Sequence, residues 1–317
     1  MVWRAGGAVV LFSQRHGSDA SHGGARPARR RSGPGLYRWL TANEQRTPEP
    51  GAEQLMLDEL ATLAASTGAG AHLVPRVPAI LPKLLRSLRD DTMSGADLAR
   101  ILSQDVVLVA EVIRSANSPF YRSGAPIKTV ESAVMLLGQN GMRMIVARVA
   151  FRPVISSRGG HLASDVAPQL WRHAEKSARA ASLLAPRMHA NPFEAYLAGL
   201  MQNVGLIVAL RLFDQLYPDA VAPKTAQFYA SLTAHARTIS TRIAAMWEFP
   251  DTVAAAIEQA GRADAGALAR TLELGARIAR LRMLIDAGSI AADDPGVTAG
   301  LDEAMLAVLE KLSVEED

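Results

Sequence analysis

The chain of 317 residues has no cysteine. That excludes a disulfide framework, a thiolate zinc site and a cysteine nucleophile, and it fits an expected cytoplasmic location. Aromatic residues are scarce, at 5%. Charged residues make up 21% and apolar residues 49%, a balance that excludes global disorder. No apolar run reaches the roughly 20 residues of a bilayer span. The nearest candidate, residues 195–210, lies between Glu194 and Arg211 and contains Gln202 and Asn203, so it reads as a buried core helix. Residues 5–12 make only a weak secretory signal, because no small-residue cleavage site follows. Sustained period-two alternation is missing, and so are strands from the expected fold. Three catalytic signatures are also absent: the Gly-x-x-x-x-Gly-Lys-Ser/Thr phosphate loop, the Gly-x-Ser-x-Gly elbow and His-Glu-x-x-His.

Alanine is abundant, at roughly one residue in six, which suits closely packed helices. The net charge of +3 hides an asymmetry. Residues 1–50 hold eight arginines against Asp19, Glu44 and Glu49, a net +5; the remaining 26 basic and 28 acidic residues give −2. The globular part therefore carries no broad basic face for nucleic acid. Residues 1–53 are expected to be a flexible Gly/Pro/Arg-rich arm, with Arg29, Arg30 and Arg31 adjacent. It reads as a solvated tail; the alternative is an electrostatic tether for nucleic acid, acidic lipid or an acidic partner.

From Glu53 onward the periodicity is helical. A first helix ends near Gly68, and Ile80, Leu84 and Leu88 mark a second. Ser94 and Asp97 form a capping box before Leu98. The helix through Val109 and Val112 stops at Asn117-Ser118-Pro119, where Asn117 reads as a cap. Another helix ends at Gly138, and a new one begins near Met142. Longer helices are expected over 165–186, 192–213, 223–246, 251–261, 266–287 and 298–312. The fold class is all-α.

Several short motifs follow one another along the chain: Leu81-Pro82, Asn117-Ser118, Leu136-Leu137-Gly138, Trp171-Arg172-His173, Ala198-Gly199-Leu200 and Trp247-Glu248-Phe249-Pro250. Their order and spacing, over about residues 74–285, resemble the HDOD family, the HD-related output domains of bacterial signalling proteins. The resemblance implies an HD-domain-like multi-helix bundle in two helical lobes after the basic arm. The helical domain is then 54–317, with an N-terminal lobe at about 54–156 and an HD-like lobe at about 164–317. It also implies a regulatory, non-catalytic module that acts through a signalling protein partner.

An HD phosphohydrolase holds its metals with a His, an adjacent His-Asp pair and a later Asp. By the resemblance the first position falls on His173 and the pair on Gln202-Asn203. A later His falls on His235, another pair on Gln259-Ala260, and the final Asp near Ala276. Gln lacks an imidazole nitrogen, and Asn has the shape of Asp without its charge. No metal and no cofactor are expected, and the pocket His173, Gln202, Asn203 and His235 reads as vestigial. Each His also lies on an apolar helical stripe, as a hydrogen-bonded core His would. Buried amides need partners, and His173 and His235 are the natural ones for Gln202 and Asn203. A divergent metal-dependent phosphohydrolase acting on nucleotides or cyclic dinucleotides is the alternative. Glu273 and Asp286 read as solvated surface. The candidate interaction loop is Asn117, Ser118, Phe120 and Tyr121, unless its rings tuck into the core. If the arm is a tether, nucleic-acid or acidic-lipid binding falls steeply with salt and vanishes when residues 1–50 are removed.

Overall fold

In a computed structural model of the chain, the structure describes residues 51–66, 94–103, 106–119, 124–156, 160–218 and 223–313, with Leu73, Tyr121 and Val221. The arm over 1–50, the helix expected around Ile80–Leu88 and Phe120 lie outside the described residues. Among the described residues every regular element is helical. They are α1 (Ala52–Ala65), α2 (Gly95–Leu102), α3 (Val106–Ala116), α4 (Val130–Ser156), α5 (His161–Leu184), a 3₁₀ turn (Ala185–Met188), α6 (Pro192–Met201), α7 (Val204–Leu216), α8 (Ala226–Met246), α9 (Asp251–Gln259), α10 (Ala267–Asp286), α11 (Pro295–Thr298) and α12 (Glu303–Lys311).

The start and stop chemistry follows local rules. Ser94 N donates to Asp97 Oδ2 and Asp97 N to Ser94 Oγ, both at 3.2 Å, which is the reciprocal capping box. The expected break at Gly138 is present, with φ 66° and ψ 177°, so α4 is two helical pieces about a sharp bend. Trp247 and Phe249 close against Phe151 of α4 with ring centroids 6.0 and 5.8 Å away. That contact explains the Trp-x-Phe spacing at the α8–α9 corner, where Glu248 takes a left-handed turn at φ 57°.

The central element is α5. From His173 to Ala181 it is buried on nearly every side. Its first N–H groups, from Leu162 and Ala163, donate to the two carboxylate oxygens of buried Asp214 on α7 at 2.8 and 2.9 Å. An anion at a helix N-terminus satisfies two orphan donors and complements the dipole. Arg148 of α4 pairs with Glu175 and donates to Ser115 Oγ at 3.1 Å, tying α3, α4 and α5 together. Buried Lys176 donates to the Leu312 carbonyl at 2.6 Å and so fixes the end of α12.

One apolar cluster takes in residues from Met56 to Leu272, among them Ile155 of α4 and Leu162 and Ala163 of α5. A smaller cluster joins Leu184, Ile278, Val308 and Leu312. One expectation is corrected. The apolar run over 192–213 is not one helix but two, α6 and α7, separated at Gln202-Asn203. Pro192–Leu216 is long and apolar enough to cross a membrane by composition, yet 72% of its window is buried within the fold. The expected helix over 298–312 is α12, which begins later, at Glu303, after the separate short α11.

Two neighbours of α5, the helices α6 and α10, approach it through glycine. A Cβ on Gly199 of α6 would lie 2.4 Å from Ala178 Cα, and one on Gly275 of α10 would lie 2.7 Å from Ala181 N. Overpacking of this kind costs about 1–3 kcal/mol or more. Gly199→Ala and Gly275→Ala are each expected to lower the urea midpoint by that order. Gly124→Ala, which meets nothing within 4 Å, should leave it unchanged; equal midpoints for all three would refute the close packing.

Candidate functional site

His173 sits on the buried face of α5, 2% exposed. The turn between α6 and α7 brings Asn203 against it, with Nδ2 and His173 Nδ1 2.9 Å apart. The amide can only donate there, so Nδ1 is the accepting nitrogen and the ring proton is on Nε2. The Ala276 backbone of α10 also hydrogen-bonds the imidazole, and Ser177 Oγ lies 3.4 Å from Nε2. Three positions that the sequence comparison aligned with metal ligands thus meet, as an imidazole, a carboxamide and an alanine.

The turn is held from α8. Ser240 Oγ accepts from Gly205 N at 2.8 Å and donates to the Gln202 carbonyl at 2.9 Å. Asn203 stands at the N-cap of α7, where Asn ordinarily caps with its own side chain. Here it makes no side-chain cap hydrogen bond and reaches for the histidine.

Charge is set by burial. Desolvation, with repulsion from the Arg280 guanidinium second, pushes His173 down to about 3, against a smaller upward pull from the Ala276 hydrogen bond. The ring is therefore neutral at neutral pH. Burial also holds Arg280 below its ordinary value, and Glu273 partly offsets this. Arg280 lies one turn after Ala276 on α10, and its side chain runs back toward the helix N-terminus, with Nη2 3.6 Å from Glu273 Oε1.

This donor set does not fit the metals of an HD phosphohydrolase. Such a site needs anionic carboxylates and free imidazole lone pairs converging on the ion. The His173 lone pair is engaged by Asn203. Asn203 and Ala276 supply no charge, and a guanidinium is close enough to repel a cation. Gln259, at another aligned position, turns its Oε1 to Gly266 N at 3.3 Å. Among the described residues no group of three His, Asp or Glu converges.

The other expected site residues are placed differently. Gln202 is half-buried and its Nε2 donates to the Gly199 carbonyl at 3.3 Å, so it bonds its own helix and not a histidine. His235 is half-buried on α8; the residues of α8 that reach the turn are Ala236 and Ser240. In the candidate loop, Asn117 is an internal staple. Its Nδ2 donates to the carbonyls of Ile113 and Ile127 at 2.8 and 2.7 Å, and Ile127 N donates to its Oδ1 at 2.8 Å. Ser118 is buried and Tyr121 packs against the core. These contacts agree with Asn117 as a cap and with the reading in which the loop's side chains tuck inward; among the described residues of the loop, Pro119 and residues 124–126 are exposed. Arg280 escaped the sequence reading. Its signal is its place, one turn beyond the alanine aligned with the final metal ligand.

An all-helical bundle of this kind has known counterparts. The HDOD domain family matches residues 74–262, and the chain belongs to that family. It is 25% identical over 205 residues to an uncharacterised protein of Treponema pallidum, which takes in 60% of this chain and 38% of that protein. The chain thus spans well under half the length of that relative. Three solved structures share the fold. An HDOD domain protein of unknown function from Geobacter sulfurreducens has TM-score 0.55 and 19% identity, over 84% of this chain and 95% of that one. A Shewanella amazonensis protein provisionally named a metal-dependent phosphohydrolase has TM-score 0.59 and 20% identity, over 84% and 99%. A Marinobacter aquaeolei protein provisionally named a signal transduction protein has TM-score 0.57 and 23% identity, over 87% and 66%.

The neutral histidine has a measurable consequence. Its value in the fold, about 3, lies below the ordinary 6.5, so between them the unfolded chain binds the extra proton. Stability is unaffected by this group above pH 6.5 and falls as pH drops from there toward 3, with a slope of up to about 1.4 kcal/mol per pH unit. His173→Gln should flatten the loss of unfolding free energy between pH 6.5 and about pH 5 relative to the parent. Identical slopes would mean that His173 is not held neutral.

Proposed function

We propose that this HDOD protein is a non-catalytic signal-transduction module that acts through protein–protein contact. Family membership supports a signal-transduction or HD-related role. The observation that carries the non-catalytic part is the 2.9 Å contact of Asn203 Nδ2 with His173 Nδ1. It occupies the lone pair that a metal would need, beside a guanidinium that repels one. A protein partner is supported by large apolar side chains left in solvent on the two adjacent helices α3 and α4: Val106 is 82% exposed and Met135 87%. A cytoplasmic location belongs to the same proposal.

The alternative, a divergent phosphohydrolase, is favoured by the retained His173 and by the name of the Shewanella relative. Metal content decides between them. Purified full-length protein, incubated with Mn²⁺, Fe²⁺ or Zn²⁺ and then desalted, is expected to keep no stoichiometric metal by elemental analysis and to release no product from nucleotides or a cyclic dinucleotide. One or two metals per chain, with hydrolysis that is lost in His173→Ala, would overturn the proposal.

A further inference from the structure

The last helix packs outside the main apolar cluster. α12 lies on α10 and α5 over a cluster of its own, through Val308, Leu309 and Leu312. Beneath it Leu274, Ile278, Leu281 and Ile285 make one stripe of α10 at helical spacing, beside Leu184 of α5. Polar groups meet α12 at both ends. At its start Asp302 is the N-cap, with Oδ1 accepting from Met305 N at 2.9 Å. Arg187 donates to the same carboxylate through Nη1 and Nη2, at 3.1 and 3.2 Å. At its end Lys176 of α5, 7% exposed, donates to the Leu312 carbonyl at 2.6 Å, with Asp286 Oδ2 3.5 Å away. Gly300, at φ 75°, stands just before α12. The residue before it is tied to α10 by the 2.6 Å bond from Arg277 Nη2 to the Ala299 carbonyl.

A helix of 9 residues is marginal alone in water. α12 and its C-cap bury only Val308, Leu309 and Leu312, so their release is a local event that leaves the main cluster closed. A buried ammonium is a poor filler for an apolar cluster, because it must find acceptors or lose its solvation. It is a good reader of a helix end, whose last carbonyls lack partners and carry the negative pole of the dipole. Arg187 reads the opposite end, where an acidic N-cap stands. Between the two, Met305, Val308, Leu309 and Leu312 follow i, i+3, i+4 and i+7, the pattern of a helix laid on an apolar surface. We propose that α12 is a displaceable strap: it covers a docking surface on α5 and α10 for an amphipathic helix of the protein partner. That helix carries α12's own apolar spacing, an acidic N-cap for Arg187 and a terminal carbonyl for Lys176. Gly300 is the joint about which α12 swings away, since glycine crosses between backbone regions at little cost. The proposal rests on the protein-contact reading, in that the incoming helix is the partner's.

The test is native-state hydrogen exchange of the full chain, with a labelled peptide of residues 301–313 as the probe helix. The amides of α12 are expected to exchange at least about tenfold faster than those of residues 173–181 in α5, with a weaker dependence on urea. Lys176→Met keeps the bulk and removes the bond to Leu312, and should speed exchange in α12 by about tenfold. Leu309→Ala trims an anchor of the strap and leaves the surface beneath it intact, so α12 should open about thirtyfold more often or more. Apparent affinity scales with the open fraction, so Leu309→Ala should bind the peptide more tightly than the parent by the same factor as its gain in exchange. Equal rates and equal urea dependence for α12 and α5 in the parent overturn the strap. So does a peptide that binds folded Leu309→Ala no better than the parent, or unchanged α12 exchange in folded Lys176→Met. If either variant does not fold, Asp302→Ala at the exposed N-cap takes its place, with about fivefold expected in exchange and in peptide affinity; no change in either refutes the proposal. Joint exchange of α12 with α5 would leave partner contact through α3 and α4 standing. Bound metal with hydrolysis would defeat the non-catalytic reading and leave the opening of α12 unaltered.

Discussion

Two helices lie against α5 at distances that only glycine permits. Gly199 of α6 faces Ala178, and Gly275 of α10 faces Ala181. These contacts fix the axial registers of α6 and α10 on the central helix, and the register decides what meets His173. Four residues beyond Gly199, the turn carries Asn203 onto Nδ1; one residue beyond Gly275, the Ala276 backbone hydrogen-bonds the same imidazole. The high alanine content is therefore a packing requirement. Any side chain larger than alanine on these faces would push the helices apart, open the histidine's hydrogen bonds and leave a buried polar group unsatisfied.

The electrostatics follow from that geometry. Once the registers place an imidazole, a carboxamide and a methyl group together, no anion remains to stabilise a cation among them. The imidazole stays neutral, and the nearby Arg280 guanidinium pairs with Glu273. A metal-holding bundle would invert this order, with carboxylates inside and a cation bound between them. The charge is set by three side chains, not by the fold.

Much of this was legible in the sequence, for physical reasons that differ by site. The helix breaks at Gly138 and Asn117 carry their own signals, a glycine at positive φ and an amide that can bond two backbone groups. The capping box at Ser94 and Asp97 is equally local. The pairing of Asn203 with His173 could be anticipated because a buried amide needs a partner. The bend inside the apolar run was not legible, because hydrophobic periodicity is the same for one long helix and for two short ones meeting at a turn. What breaks the helix is Ser240, which binds both sides of the turn from 35 or more residues away. At Asn117 the cap was legible, but its cross-loop bonds to Ile127, ten residues on, are long-range and leave no local signal.

Arg280 was hidden by the reverse effect. On a helical wheel α10 alternates basic and apolar residues, and an arginine there reads as solvated. Long side chains on a helix point toward its N-terminus, so Arg280 covers the surface one to two turns before its own Cα, over Ala276 and toward Glu273. His173 thus meets a carboxamide at Asn203 and the α10 backbone at Ala276, and the Arg280 guanidinium is close enough to add repulsion to the desolvation that keeps the ring neutral.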